Sequence, residues 1–146
     1  MKYIFTLLFS MIFLSAGCTP TNPELATDDT PIEFTEFATQ PSDENLTRAN
    51  ISINKTEINA NENDSQNFTA HIVGTLPTPC YELRAIVSPP DTKNQVKVEM
   101  YSLYDSSAIC AQMILPFEIY LPLGQFKTGQ YSLTINNNLV GQFGVK

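Results

Sequence analysis

The 146 residues carry eight basic and 15 acidic side chains, a formal net charge of −7, with ten prolines, one histidine and three cysteines. That balance excludes the basic face that nucleic-acid binding requires. A single histidine leaves little for metal or nucleophilic chemistry.

Residues 3–17 contain no charge and follow Lys2. Their apolar run is shorter than the roughly 20 residues of a spanning helix. A positive start, an apolar stretch and small residues instead predict a secretory signal segment over 1–17. Ser15, Ala16 and Gly17 are followed at once by Cys18. This stretch resembles the lipobox of bacterial lipoproteins, with Leu14 one place further from the cysteine than in the commonest pattern. The resemblance implies diacylglycerol on the Cys18 sulfur and cleavage before it. An ordinary signal peptide, leaving Cys18 as a free thiol, is the other reading. Two or more acyl chains anchor a protein stably, at about 0.8 kcal/mol per buried CH₂. The expected address is therefore the bacterial cell envelope, with the membrane as a partner through lipid. Thr19 is not the Asp associated with inner-membrane retention, which favours the outer membrane in a Gram-negative cell.

Residues 18–48 hold seven acids against Arg48 alone, with Pro20, Pro23, Pro31 and Pro41. Such a composition buries too little apolar surface to offset chain entropy and predicts a disordered tether. Its 30 residues after Cys18 would span about 30 Å as a coil and about 100 Å extended. Within it, Ile32 and Phe34 alternate with Glu33 and Thr35, either by chance or as a short strand that docks on a sheet edge.

From Ala49 onward the apolar period is two. Seven series show it: Ile51/Ile53; Phe68/Ala70/Ile72; Tyr81/Leu83/Ala85/Val87; Val96/Val98/Met100; Met113/Leu115/Phe117/Ile119/Leu121; Tyr131/Leu133/Ile135; and Leu139/Phe143/Val145. Turn signals separate them, among them "SPPDTKN" and "YDSSA". About seven half-buried strands predict an all-β domain over 49–146, an immunoglobulin-like Greek-key sandwich. Pro116 and Pro122 place the fifth series at a sheet edge or a bulge. Gly129 before Tyr131 suggests a tyrosine corner, the alternative being an ordinary half-buried tyrosine.

With Cys18 modified, Cys80 and Cys110 are the thiols left to pair in an oxidising compartment, and a disulfide between them is expected. The surrounding pattern resembles a domain of secreted bacterial lipoproteins over about 72–145. The matching elements are Leu76-Pro77 before Cys80, Cys110 with Gln112, Pro116-Phe117-Glu118, and Gly129 with Tyr131. That resemblance implies no particular activity. Where the family tends to close its last hairpin with Asn-Gly, this chain has Asn136, Asn137 and Asn138.

No catalytic constellation stands out. His71 falls in the polar phase of an alternating strand, where it faces solvent rather than a nucleophile. Glu82, Glu99 and Glu118 also occupy the polar phase, as on a solvated sheet face. "NENDSQN" lacks the glycine and final glutamate of a calcium loop, and neither a metal nor another cofactor is expected. Five N-x-S/T sequons follow from an Asn- and Thr-rich bacterial composition. Tyr101, Tyr104, Tyr120 and Phe126 are the candidate binding surface, since exposed aromatics commonly anchor partners. The expected function is a lipid-anchored, non-enzymatic module that binds an envelope or extracellular protein or glycan. The alternative is an inhibitor of a secreted hydrolase such as a protease or lysozyme, acting through "VSPPDTKN" or "LPLGQFKTG".

Overall fold

The computed structural model describes residues 36–62 and 64–146. The expected signal segment, Cys18 and the Ile32/Phe34 patch lie outside these residues. A short 3₁₀ turn (Pro41–Asn45) precedes eight strands: β1 (Thr47–Ala49), β2 (Ser52–Asn61), β3 (Asp64–Leu76), β4 (Glu82–Ser88), β5 (Gln95–Tyr104), β6 (Leu115–Gln125), β7 (Gly129–Ile135) and β8 (Asn138–Val145). They form two sheets, and the all-β sandwich that the alternation predicts is present.

In the first sheet β2, β3 and β6 pair antiparallel, with β3 in the middle. β6 is an edge, as its prolines require: Pro116 and Pro122 sit opposite Thr75 and Thr69 and donate nothing to the ladder. Gly74 is held to glycine by close approach, because a Cβ there would strike the Phe117 ring and the Ser52 carbonyl.

The second sheet is built around β5. β4 covers one edge of it from Ser88 to Glu82. The other edge is shared: β7 runs parallel along Gln95–Val98, and β1 runs antiparallel along Ser102–Tyr104. β8 then pairs with β7. The parallel β5–β7 pair is a feature that alternation cannot reveal, since strand direction leaves no trace in the period.

Between the sheets lie Ile72, Val87, Val96, Met100, Leu121 and Leu133, each nearly or wholly buried. Full burial of such side chains contributes about 1.5–3 kcal/mol each. One end is closed by aromatic rings: Phe126 lies 5.0 Å from both Tyr131 and Phe143 and 5.9 Å from Phe68. The Tyr131 hydroxyl donates to the Lys127 carbonyl at 3.0 Å, the tyrosine-corner bond. Asn136 and Asn137 form the two-residue turn between β7 and β8 with φ of 50° and 67°. Two positive φ values define the hairpin turn that asparagine tolerates in place of Asn-Gly.

Three expectations need correction. The folded unit does not begin at Ala49. Residues 37–49 lie along the second sheet, where the Phe37 carbonyl accepts from Ala85 N–H at 2.9 Å on the edge of β4. Met113 does not point inward but is 58% exposed, because the chain between β5 and β6 is a loop and the strand starts at Leu115. Leu139 is 65% exposed, because a register shift at Leu133/Thr134 moves the early part of β8 out of phase. Val140 packs on the core instead.

Candidate functional site

A concavity arises where the shared edge of β5 changes partner. Between β7 and β1 no strand reaches Met100, and the Asn136 side chain takes the strand's place. Its Oδ1 accepts from Met100 N–H and its Nδ2 donates to the Met100 carbonyl, both at 2.8 Å. The cleft above holds about 500 Å³ and is lined by Arg48, Asn50, Ser88, Lys97, Glu99, Thr134 and Asn137 among others. Arg48 pairs with Glu99 and lies 3.8 Å from the centre of the Tyr101 ring. Lys97 reaches Asp91 at 3.5 Å. The Asp91 carboxyl is held below its ordinary value mainly by the Gln95 and Lys93 backbone N–H groups. The cleft thus presents hydrogen-bonding side chains whose charges are already matched.

The four aromatic candidates do not form one surface. Tyr101 and Phe126 are withdrawn from it. Tyr101 is 7% exposed, since the preceding segment covers the outward face of β5, and Phe126 is 4% exposed within the aromatic end of the core. Burial raises the Tyr101 phenol above its ordinary value. Tyr104 is half-buried and stacks on Tyr81 at 4.6 Å. Tyr120 is exposed on the outer face of the first sheet and stacks on His71 at 4.6 Å.

His71 is less open than its phase suggests. Its Nε2 lies 2.7 Å from Glu118 and its Nδ1 3.2 Å from Glu57, with Lys55 at 2.8 Å from Glu57. Carboxylates only accept, so a ring that serves both is the imidazolium. Glu118 first and Glu57 second hold its pKa above the ordinary 6.5. Both nitrogens are engaged across β2, β3 and β6, which makes the group a cross-strand tie rather than a base.

Covering the outward face of the second sheet is a second ion cluster. Arg84 is almost fully buried. Its Nε and Nη2 donate to the two Asp43 oxygens at 2.9 and 2.8 Å, Nη2 also meets Glu82, and Nη1 donates to the Leu83 carbonyl. Arg84 foremost lowers the Asp43 pKa, and Asp43 foremost raises that of Arg84. Asp43 N–H closes the 3₁₀ turn on the Gln40 carbonyl, and an Asp43 oxygen accepts from Gln40 N–H. One carboxylate therefore shapes the turn and clamps it to β4.

At the end opposite the aromatic plug, Cys80 and Cys110 form a disulfide with Cα atoms 6.1 Å apart. Cys80 lies on the crossing from β3 to β4 and Cys110 on the crossing from β5 to β6. The bond therefore joins two of the three sheet-to-sheet connections at this end, the third being residues 50–51 between β1 and β2. Thr78 Oγ1 donates to Cys110 Sγ at 3.3 Å. Beside it Ile109 is 102% exposed and Ile114 68%, with Met113 close by. Sequence reasoning missed this loop. Its one signal is the absence of charge from Ser106 to Phe117 beside a cysteine. The two loops named for hydrolase inhibition are both held by the fold. "VSPPDTKN" is tied by Asp91 to the Lys93 and Gln95 backbone, and "LPLGQFKTG" is part strand and part core.

Two antiparallel and mixed sheets around one core, with a polar cleft and a disulfide-braced end loop, define a β-sandwich domain. A model of the ORF11 beta-sandwich domain matches residues 70–145, from the middle of β3 to the end of β8, and the chain belongs to that family. No curated protein and no solved structure matches the chain.

Proposed function

We propose that this chain is a lipid-anchored protein of the bacterial cell envelope whose sandwich binds a partner and catalyses no reaction. The observation that carries it is the uncharged run 3–17 ending at Gly17-Cys18. Residues 19–35, upstream of the docked segment, reach at most about 60 Å when extended. That length lets the domain stand off a lipid surface while its cleft and end loop stay available. The non-enzymatic reading is supported by His71, whose nitrogens are both engaged by carboxylates outside the cleft. An outer-membrane address follows from Thr19 if the cell has two membranes. Palmitate labelling of wild type and Cys18→Ser tests the anchor. Label only in the wild type, with the variant unprocessed or released, is expected, and equal labelling would sink the reading. A second reading, inhibition of a secreted hydrolase, is favoured by the exposed aliphatic side chain of Ile109 beside the disulfide.

A further inference from the structure

We propose that Ile109–Ile114 is a docking loop that enters the substrate cleft of a secreted peptidase, with Ile109 filling an apolar side-chain pocket. The proposal rests on the hydrolase-inhibitor reading and gives it a segment and a target class. Among the described residues five large hydrophobic side chains are exposed, and Ile109, Met113 and Ile114 are three of them. In a chain of net charge −7, the twelve residues from Ser106 to Phe117 carry no charge. Asp105, the exposed acid at the loop's entrance, accepts from the Ser107 N–H and hydroxyl at 2.8 and 2.7 Å. No charge within Ile109–Ile114 therefore opposes burial of the loop tip.

The backbone is as telling as the side chains. Neither helix, strand, turn nor bend runs from Ile109 to Ile114. The bonds made within it are Met113 N–H to the Ala111 carbonyl at 3.0 Å and Gln112 Nε2 to the Cys110 carbonyl at 3.4 Å. Among the described residues the N–H groups of Ile109, Ala111 and Ile114 find no partner. A peptidase cleft pairs the backbone of an open chain and takes a side chain into a pocket, as strand-addition sites do generally. A bilayer would leave those N–H groups unsatisfied, so a lipid surface fits the loop less well. Order is already imposed at both ends, by the Cys80–Cys110 bond and by Leu115 at the start of β6. Little conformational entropy is then left to lose on binding. Association is reversible, and no bond is made or broken.

Inhibition of elastase, subtilisin and thermolysin by the full chain tests the proposal. Competitive inhibition of at least one enzyme is expected. Ile109→Ala should raise that inhibition constant about tenfold or more, the effect of losing most of a buried aliphatic side chain. Ile109→Asp should raise it further, and Leu139→Asp, an exposed site on β8, should leave it unchanged. Inhibition that Ile109→Asp leaves intact would overturn the loop assignment while keeping the inhibitor reading. Inhibition of none of the three enzymes would overturn both, without touching the anchor, which palmitate labelling judges separately. If unlipidated Cys18→Ser chain sediments with phosphatidylcholine vesicles and Ile109→Asp abolishes this, the loop is a lipid contact and the proposal fails.

Discussion

Removing the Asp43 carboxylate should unclasp the segment that lies over the second sheet. The Arg84 side chain is 4% exposed and that of Asp43 13%, and two charge-assisted hydrogen bonds join them. Breaking a buried pair by deleting one partner costs about 3–5 kcal/mol, because an uncompensated charge stays behind. In Asp43→Ala the cation keeps Glu82, itself 60% exposed, and the Leu83 carbonyl. The cost therefore falls at the lower end, about 3 kcal/mol, or a melting point lower by about 12 °C for a domain of this size. Guanidinium unfolding of the full chain measures the first quantity. Cleavage by a glutamyl endopeptidase after Glu44 reports whether the segment has lifted. The pH dependence carries its own sign. The Asp43 pKa lies below its ordinary 3.8 in the fold. Its contribution is thus fully present above that value and disappears as pH falls through the lower, folded value. The penalty of Asp43→Ala should shrink correspondingly in acid. A loss under about 1 kcal/mol at neutral pH, with Glu44 still protected, would refute the account of a buried clamp.

Cys110→Ala should destabilise the domain by about 3.7 kcal/mol from the loop-closure model, within the usual range for a native bridge. Thiol titration of unfolded, unreduced protein from its native compartment should find neither Cys80 nor Cys110 free, and two free thiols would contradict the bond. His71, as the one histidine, gives an isolated NMR titration whose midpoint should lie above 6.5. Stability from this tie is then complete below 6.5 and is lost as pH rises through the folded value, and His71→Gln should flatten that slope. A midpoint at or below 6.5 would count against the double carboxylate contact.

The strands were legible because a half-buried sheet writes its own period. Ala70/Ile72, Val96/Val98 and Leu133 stand in the core where alternation puts them. Alternation names the face of a strand but not whether something covers that face. Tyr101 points outward and is nevertheless buried, since the covering segment is held by a pair 41 residues apart in sequence. An acidic, proline-bearing stretch reads as tether until the distant arginine that neutralises it is known. Phe126 misled for the opposite reason, because the chain returns to the core after β6 with no strand pattern to announce it. The loop at Ile109 was obscured by Met113, whose spacing continues the alternation of β6 past the point where pairing begins. The cleft had no signal at all, because it depends on β5 having two partners along one edge.

The disulfide, by joining the β3–β4 crossing to the β5–β6 crossing, also sets how the molecule would respond to force. Tension applied between the two ends of the chain passes from Cys80 to Cys110 through the bond and bypasses β4 and β5. The bond encloses a sequence separation of 30 residues. About 100 Å of contour is thereby withheld from extension. A domain stretched from its N-terminal side would first peel residues 37–49 from the sheet, with the Asp43–Arg84 clamp as the initial resistance. The ring that carries the Arg84 half of that clamp stays shut, so relaxation returns the strap to a seat that has never left the fold.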